Sequence, residues 1–442
     1  MKIAKRLLEP IDAAWLAAFR VLYGLALAIS MERFLAHGWV EELLVRPRFK
    51  FHYAGFAWVP VLPSGPMHAL FWILMGLALA VAAGAAFRVT APLFAAGLTY
   101  IQLVDVSTYL NHYYLAALLA WLLAASPANR MWSVDAWLRK RAREDVARAW
   151  LWVFRVQIGL VYVYAGLAKL QPDWLLHGQP LRIWLGARTD LPILGRIFAW
   201  GGVPLMMSWA GFLFDLTIVG WLSWRRTRPY AYAVLLTFHT LTRLLFDIGM
   251  FPIIMSIAAL VFFSPSWPRR FVRRPASPPI SIAPARWHRY ALAFGALYCA
   301  AQLLLPLRSR LYGGDVLWHE QGMRFSWRVM VRAKGGAVTF LVKDKTTGAI
   351  THVSPRRYLA PFQENEMVGQ PDLVLQLAHA IRDDHGGDVE VYADAIASLD
   401  GRRAQRFIDP NVDLARVDDT LAPAAWILPA PTDPPPHTRP VL

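Results

Sequence analysis

Residues 67–87 read MHALFWILMGLALAVAAGAAF, an apolar run that contains no Asp, Glu, Lys or Arg. The hydrocarbon core of a bilayer is crossed by roughly twenty such residues in a helix, so this stretch predicts a transmembrane helix. Eight further apolar windows occur, at 13–31, 89–109, 113–126, 150–170, 200–221, 230–245, 248–263 and 290–306. Two of them, 113–126 and 248–263, are short. The chain is therefore predicted to be a polytopic α-helical membrane protein with about nine transmembrane helices.

Composition and charge agree with this class. Of the 442 residues, 56% are hydrophobic and 17% are charged, whereas an average soluble domain is about 25% charged; a disordered chain is excluded. In a soluble protein the net charge of +16 would suggest a nucleic-acid partner. Here nineteen Lys and Arg, including Arg141, Arg273 and Arg274, fall in inner segments if the N-terminus is cytoplasmic, against about nine in the outer loops. No nucleic-acid partner is expected, and the single cysteine, Cys299, excludes an intramolecular disulfide.

The composition changes at Leu307, where charges become frequent and apolar runs shorten. In residues 337–354, apolar and polar residues alternate on both sides of a Thr347-Gly348 turn, as in a β-hairpin. A short amphipathic helix is predicted at 373–383 and a strand at 389–393. We expect a transmembrane domain over 1–306, an extracytoplasmic β-rich (α+β) soluble domain over 307–428 and a Pro-rich tail over 429–442.

Polar residues within spans are expensive and frequently mark function. The third span ends in YIQLVDVSTYLNHYYL, residues 100–115. If the helix continues, Gln102, Asp105, Tyr109 and His112 share one face. The alternative is an interfacial belt of Tyr and His that caps a helix hairpin.

Two further polar clusters are predicted at the outer side of the bilayer. In the fifth span, Arg155, Tyr162 and Lys169 are seven residues apart and share a face. Lys169 is either a snorkelling lysine or a desolvated amine that acts as a general base. In residues 238–252, FHTLTRLLFDIGMFP, His239 and Arg243 are one turn apart.

No motif for a metal, a nucleotide or a nucleophilic serine occurs: GxGxxG, a Walker loop, HExxH and GxSxG are all missing from the sequence. The histidines also lack the close spacing of a metal or haem site. We therefore expect no metal.

Several unusual strings occur together in one order. They are NHYYL at 111–115, SVD at 133–135, VYVYAGLAKLQPDW at 161–174, FHTLTRLLFDIGMF at 238–251, SPSWPRR at 264–270, KDKTTGAITHV at 343–353 and AQRFIDPNVDL at 404–414. In these strings the chain resembles vitamin K-dependent gamma-glutamyl carboxylases and their bacterial relatives, which carry the HTTM (horizontally transferred transmembrane) domain. The resemblance covers about residues 11–414.

This resemblance implies an integral-membrane enzyme of the bacterial inner membrane. In the family, an active-site lysine deprotonates reduced vitamin K, which adds O2. Its conversion to the epoxide yields a base strong enough to remove a Cγ proton from glutamate, and the carbanion captures CO2. The catalytic residues implied here are Lys169 and His112. Expected cofactor-binding residues are Asn111, Tyr109, Asp105, Tyr162, His239 and Arg243. For the substrate, a glutamyl-containing protein or peptide, the candidates are Phe325 and Trp327, which follow the last span closely, and Arg406, which could pair with a carboxylate.

Two departures from the family pattern stand out. Ala168 precedes Lys169 where animal members have a second lysine, and Phe325 replaces a tyrosine. The quinone half of the reaction is therefore better supported than the carboxylation half. Alternatives are a quinol epoxidase or oxidase without carboxylation, and a non-catalytic protein that binds or transports a quinone or lipid. The sequence does not separate phylloquinol from menaquinol.

Overall fold

The computed structural model describes residues 2–140, 143–192, 194–272 and 286–437. Within these ranges a helical part precedes a smaller part built on a β-sheet. Arg141, Arg273 and Arg274 of the predicted inner loops lie outside the described residues, as do residues 438–442 of the predicted tail.

Each of the nine predicted spans contains helix. In chain order the helices of the first part are α1 (Lys2–Leu8), α2 (Ala14–Ala36), α3 (Ser64–Ala83), α4 (Phe87–Leu103), α5 (Asn111–Ala125), α6 (Val134–Leu138), α7 (Arg148–Ala168), α8 (Pro172–Leu175), α9 (Leu181–Gly186), α10 (Leu194–Phe198), α11 (Val203–Ser223), α12 (Arg228–Leu245), α13 (Phe251–Ala259), α14 (Arg269–Val272) and α15 (Arg286–Leu304).

Five segments of the described chain are long and apolar enough to cross a membrane: Ala14–Ala36, Ser64–Ala83, Arg148–Ala168, Val203–Ser223 and Trp287–Leu311. The helices in the other four predicted windows, α4, α5, α12 and α13, are shorter or less apolar. The protein is therefore a mostly helical membrane protein, and the count of nine spans stays a prediction.

The third predicted span is shorter than expected, because α4 ends at Leu103. The Asp105 carboxylate accepts hydrogen bonds from the backbone N–H (2.9 Å) and hydroxyl (2.6 Å) of Ser107 and caps a 3-10 turn at Val106–Thr108. Such side-chain caps compete with helical hydrogen bonds. The prediction that Gln102, Asp105, Tyr109 and His112 share one helical face is therefore wrong.

The second part contains a four-stranded antiparallel sheet in the order β4-β3-β5-β6. Its strands are β3 (Lys334–Asp344), β4 (Ile350–Val353), β5 (Val389–Leu399) and β6 (Gln405–Arg406), and its helices are α16 (Val316–His319), α17 (Pro361–Met367) and α18 (Pro371–Asp384). The predicted hairpin is the β3–β4 pair and the predicted helix is α18. The predicted strand at 389–393 continues to Leu399 and pairs with β3 along its whole length.

A two-stranded ribbon, which the sequence did not predict, joins β1 (Pro10–Asp12) to β2 (Asp145–Ala147). Arg269 forms ion pairs with Asp12 (2.6 Å) and Glu144 (3.1 Å) beside it. These contacts hold β1, near the start of the chain, against the segment that leads into α7.

The two parts are joined by a buried amide. Gln363 of α17 donates hydrogen bonds to Asp105 Oδ2 (2.7 Å) and to the carbonyl of Phe49 (2.9 Å). Its own carbonyl accepts from the backbone N–H of Ala360 (3.0 Å). The sheet-containing part is thus anchored to the turn that follows α4.

We expect Gln363→Leu to destabilise the protein by about 1–3 kcal/mol, since it leaves buried acceptors without donors. Unfolding in detergent measures this. The matched control is Asn365→Ala, which changes an exposed residue of the same helix and should stay within about 0.5 kcal/mol. Equal stabilities of the two variants would contradict the anchoring role of Gln363.

Candidate active site

The side chain of Lys169 is paired with a carboxylate. Lys169 caps the C-terminal end of α7, and its Nζ lies 2.7 Å from Oδ2 of Asp215 on α11. Both side chains are only 7% exposed. The Nζ atom also donates to the carbonyl of Ala165 (3.3 Å) and lies 5.1 Å from the centre of the Trp174 ring.

Close approach of two helices brings this pair together. A Cβ atom on Gly166 would lie 2.9 Å from the backbone nitrogen of Leu216, so a larger residue would push α11 away from α7. Gly159, two turns earlier on α7, faces Val219 of α11. Small residues allow such contacts between membrane helices, and here they place Asp215 within reach of Lys169.

The carboxylate changes the expected electrostatics of Lys169. The sequence left two interpretations open, a snorkelling lysine and a desolvated amine that acts as a general base. The structure gives the amine a buried counter-charge instead, which stabilises the ammonium while the pair is ionic. Asp215 was missed in the sequence, although a lone carboxylate inside an apolar window is itself a signal that a partner exists.

A second buried pair lies next to the first. The hydroxyl of Tyr162, two turns before Lys169 on α7, is 2.9 Å from Nε2 of His239 on α12. Phe214, the neighbour of Asp215 in the chain, packs its ring edge-on to Tyr162 with 6.0 Å between the centroids. Nδ1 of His239 is buried and has no hydrogen-bond partner among the described residues.

His112 reaches this region from α5. Its ring contacts Phe251 of α13 (6.0 Å between centroids), and the ring of His239 contacts the same phenylalanine from another side (6.1 Å). Gly249, with φ of +56°, leaves room for Nε2 of His112, which is 3.6 Å from where a Cβ would be. Tyr162, His239 and His112 are thus linked by side-chain contacts, and Phe214, which packs on Tyr162, precedes Asp215 on α11.

An apolar cavity of about 200 Å³ lies beside His112. It opens between α2, α4, α5 and α13, and α17 contributes to its wall. Tyr113 and Met250, neighbours of His112 and Phe251 in the chain, are among its lining residues, whereas Lys169 and His112 are not. Seven of the nineteen lining residues carry polar side chains: Ser30, Gln102, Ser107, Thr108, Tyr109, Tyr113 and Glu366.

The segment after the last span covers the start of α5. The hydroxyl of Tyr109 donates to Asn111 (3.1 Å) and accepts from the backbone N–H of Phe325 (2.8 Å). Asn111 donates to the carbonyl of Arg328 (3.4 Å). Trp327 is fully buried and stacks on Tyr114 with 4.9 Å between centroids.

Three predicted residues belong neither to this series nor to the contacts at the start of α5. Both carboxylate oxygens of Asp105 accept hydrogen bonds, one from Ser107 and the other from Gln363. Arg243 is exposed on α12, and Arg406 is exposed on β6. In the described ranges no three His, Cys, Asp or Glu side chains gather as metal ligands would.

Family models match most of the chain. An HTTM domain matches residues 8–267, more than half of the sequence. The lumenal domain of vitamin K-dependent gamma-carboxylase matches residues 287–433. No solved structure matches the chain. With the helical part and the sheet-containing part each matching a domain of this family, the chain belongs to the vitamin K-dependent gamma-carboxylase family.

Proposed function

We propose that this protein is an integral-membrane enzyme that oxidises reduced vitamin K to its epoxide and uses the reaction to carboxylate glutamyl side chains with CO2. The observation that carries the proposal is the buried Lys169–Asp215 pair, which stands at the lysine of the family motif. Tyr162, on the same helix, is hydrogen-bonded to His239, and His239 and His112 both contact Phe251.

The residues fit a lipid-soluble quinol. The cavity next to His112 is mainly apolar, and the free Nδ1 of His239 is a buried polar atom that could bind a ring hydroxyl. When bound, reduced vitamin K supplies with O2 the oxidation that generates a base strong enough for the glutamate Cγ proton. Phylloquinol and menaquinol both suit an apolar lining.

The proton balance at the pair follows from its burial. As an ion pair, Lys169 and Asp215 carry no net charge. In surroundings of low dielectric constant their neutral forms become competitive, so the lysine proton can pass across 2.7 Å to Asp215. With a quinol bound, the resulting amine would take a proton from its hydroxyl. Lys169 would then be charged while Asp215 is neutral, and Lys169 would supply positive charge beside the ring oxygen.

The other residues position and shield the reaction. His112 and Asn111, at the first turn of α5, would stabilise charge on the quinol ring, and Tyr162 orients His239. Tyr109 holds Phe325, which with Trp327 covers this region from the sheet-containing part. Arg406, exposed on β6, would be available to a substrate carboxylate.

For the topology we propose a cytoplasmic N-terminus in a bacterial inner membrane. The transmembrane domain would extend over 1–306, the extracytoplasmic domain over 307–428 and the tail over 429–442. This arrangement puts Lys169 and the sheet-containing part on the same side of the bilayer, consistent with their contacts, such as the hydrogen bond from Gln171 to Val331 (3.1 Å).

A second candidate function is quinol epoxidation without carboxylation. Phe325 favours it, because a phenylalanine lacks the hydroxyl that the family's tyrosine offers at this position.

One incubation distinguishes these functions. Purified protein receives reduced vitamin K, O2, a glutamyl peptide and labelled bicarbonate. We expect epoxide and acid-stable label in the peptide. Epoxide alone would favour the second candidate, and quinol binding with neither product would contradict both and indicate a binding or transport protein.

A further inference from the structure

The segment that follows Lys169 connects the amine to the sheet-containing part. α8 begins at Pro172, and its Trp174 places its ring 5.1 Å from Lys169 Nζ. The indole N–H of Trp174 donates to the carbonyl of Ser208 (2.7 Å), two turns before Asp215 on α11. The position of α8 therefore determines where the Trp174 ring lies beside the Lys169 amine.

α8 is held by an arginine from the other part of the protein. Arg402, in the turn between β5 and β6, binds both carboxylate oxygens of Asp173, at 2.5 Å and 2.8 Å. Its Nε also donates to the carbonyl of Asp433 (2.7 Å). The two side chains are 8% and 15% exposed, so water screens this two-point contact little.

A second carboxyl group lies in the same contact. Asp400 is fully buried, and its Oδ1 accepts the backbone N–H of Ala333 (2.7 Å). Its Oδ2 is buried and has no donor among the described residues while the group is ionised. Asp173 is close enough to share a side-chain hydrogen bond with Asp400, which requires a proton on one of the two carboxyls.

The charges around Asp400 are unbalanced. Two carboxylates, Asp400 and Asp173, face one guanidinium, that of Arg402. Asp433 adds negative charge near Arg402, and Lys334, which follows Ala333, is directed to Glu320 instead. Burial, with Asp173 as a smaller contribution, raises the pKa of Asp400 to about 7, while the Ala333 N–H and Arg402 act in the opposite direction.

We propose that Asp400 and Arg402 are positioning residues, which hold α8 and hence Lys169 in place while Asp400 carries a proton. Loss of that proton leaves two carboxylates against one arginine and loosens the contact. Only the link to catalysis rests on the proposed function; the contact itself does not.

The direction of the pH dependence follows from the raised pKa. When the contact opens, water reaches Asp400 and its pKa returns toward the ordinary value of 3.8. The closed contact is thus fully stabilised below pH 3.8, weakens as the pH rises toward about 7, and changes little above that. Within this window each pH unit shifts the equilibrium between closed and open by up to about tenfold.

Amide hydrogen exchange tests this without reference to activity. Peptides that cover residues 169–176 of the full-length protein are followed at pH 5.5 and 7.5, with rates corrected for intrinsic exchange. For the wild type we expect exchange to be up to about thirtyfold faster at pH 7.5, since about 1.5 pH units of the change lie between pH 5.5 and 7. Asp400→Asn keeps the acceptor for Ala333 and supplies a permanent donor to Asp173, so its rates should differ by less than about twofold.

Matched control variants distinguish loss of the Arg402–Asp173 contact from a general increase in exchange caused by any nearby substitution. Asp394→Asn, an exposed aspartate of β5, should keep the pH dependence of the wild type. Arg402→Lys removes the two-point contact and should speed exchange at both pH values, whereas Arg403→Lys, at an exposed neighbour, should not. The pH profile of epoxide formation should lose its inflection near pH 7 only in Asp400→Asn.

Two outcomes would overturn the proposal: pH-dependent exchange in Asp400→Asn equal to that of the wild type, or unchanged protection in Arg402→Lys. A protein that forms no epoxide would contradict the proposed function, and the exchange data would still decide the role of this contact.

Discussion

Lys169→Met is expected to be about 3–5 kcal/mol less stable than the wild type. The substitution leaves Asp215 as a buried carboxylate without its partner, which is the most destabilising way to break a buried ion pair. Asp215→Leu should have a similar effect, because it leaves a buried ammonium. The double variant Lys169→Met/Asp215→Leu should regain most of the loss, since two apolar side chains of similar size then fill the space.

Unfolding in detergent, by heat or denaturant, compares the four proteins. The matched control is Lys343→Met, since Lys343 is 43% exposed and pairs with Glu390 at 2.9 Å. An exposed pair of this kind is screened by water, so the control should unfold close to the wild type. Single variants that are as stable as the double variant would mean that Lys169 and Asp215 are not a buried ion pair.

The same double variant is expected to form epoxide about 10²–10⁴ times more slowly than the wild type, the usual contribution of a positioned general base. Its packing is preserved, so a slower reaction cannot be attributed to unfolding. Neither methionine nor leucine can take a proton from a quinol hydroxyl or leave a positive charge beside the phenolate.

The helices could be predicted because apolar length is a property of each segment alone. The break after Leu103 could not be read from a window average, since it depends on the hydrogen bonds of one carboxylate, Asp105, to Ser107. Its contact with Gln363, more than 250 residues later, depends on how the two parts pack. Local pattern carries no information about such distant partners.

In the candidate site, too, local pattern located individual residues but not their partners from other helices. The family motif singled out Lys169 as a candidate, and seven-residue spacing put Tyr162 on the same face of the fifth span; the structure has Tyr162 in α7 and Lys169 at its C-terminal cap. The partners of these side chains, Asp215 and His239, come from other helices. Arg243 shows the converse: one turn from His239 on the same face of α12, it is exposed while His239 is buried, because burial depends on which neighbouring elements reach each turn.

The most direct test compares epoxide formation by the wild type and by the folded Lys169→Met/Asp215→Leu variant, in the same detergent with reduced vitamin K and O2. We predict epoxide from the wild type and a rate at least about a hundredfold lower from the variant. Equal rates of epoxide formation by the two proteins would contradict the assignment of Lys169 and Asp215 as the groups that accept the quinol proton.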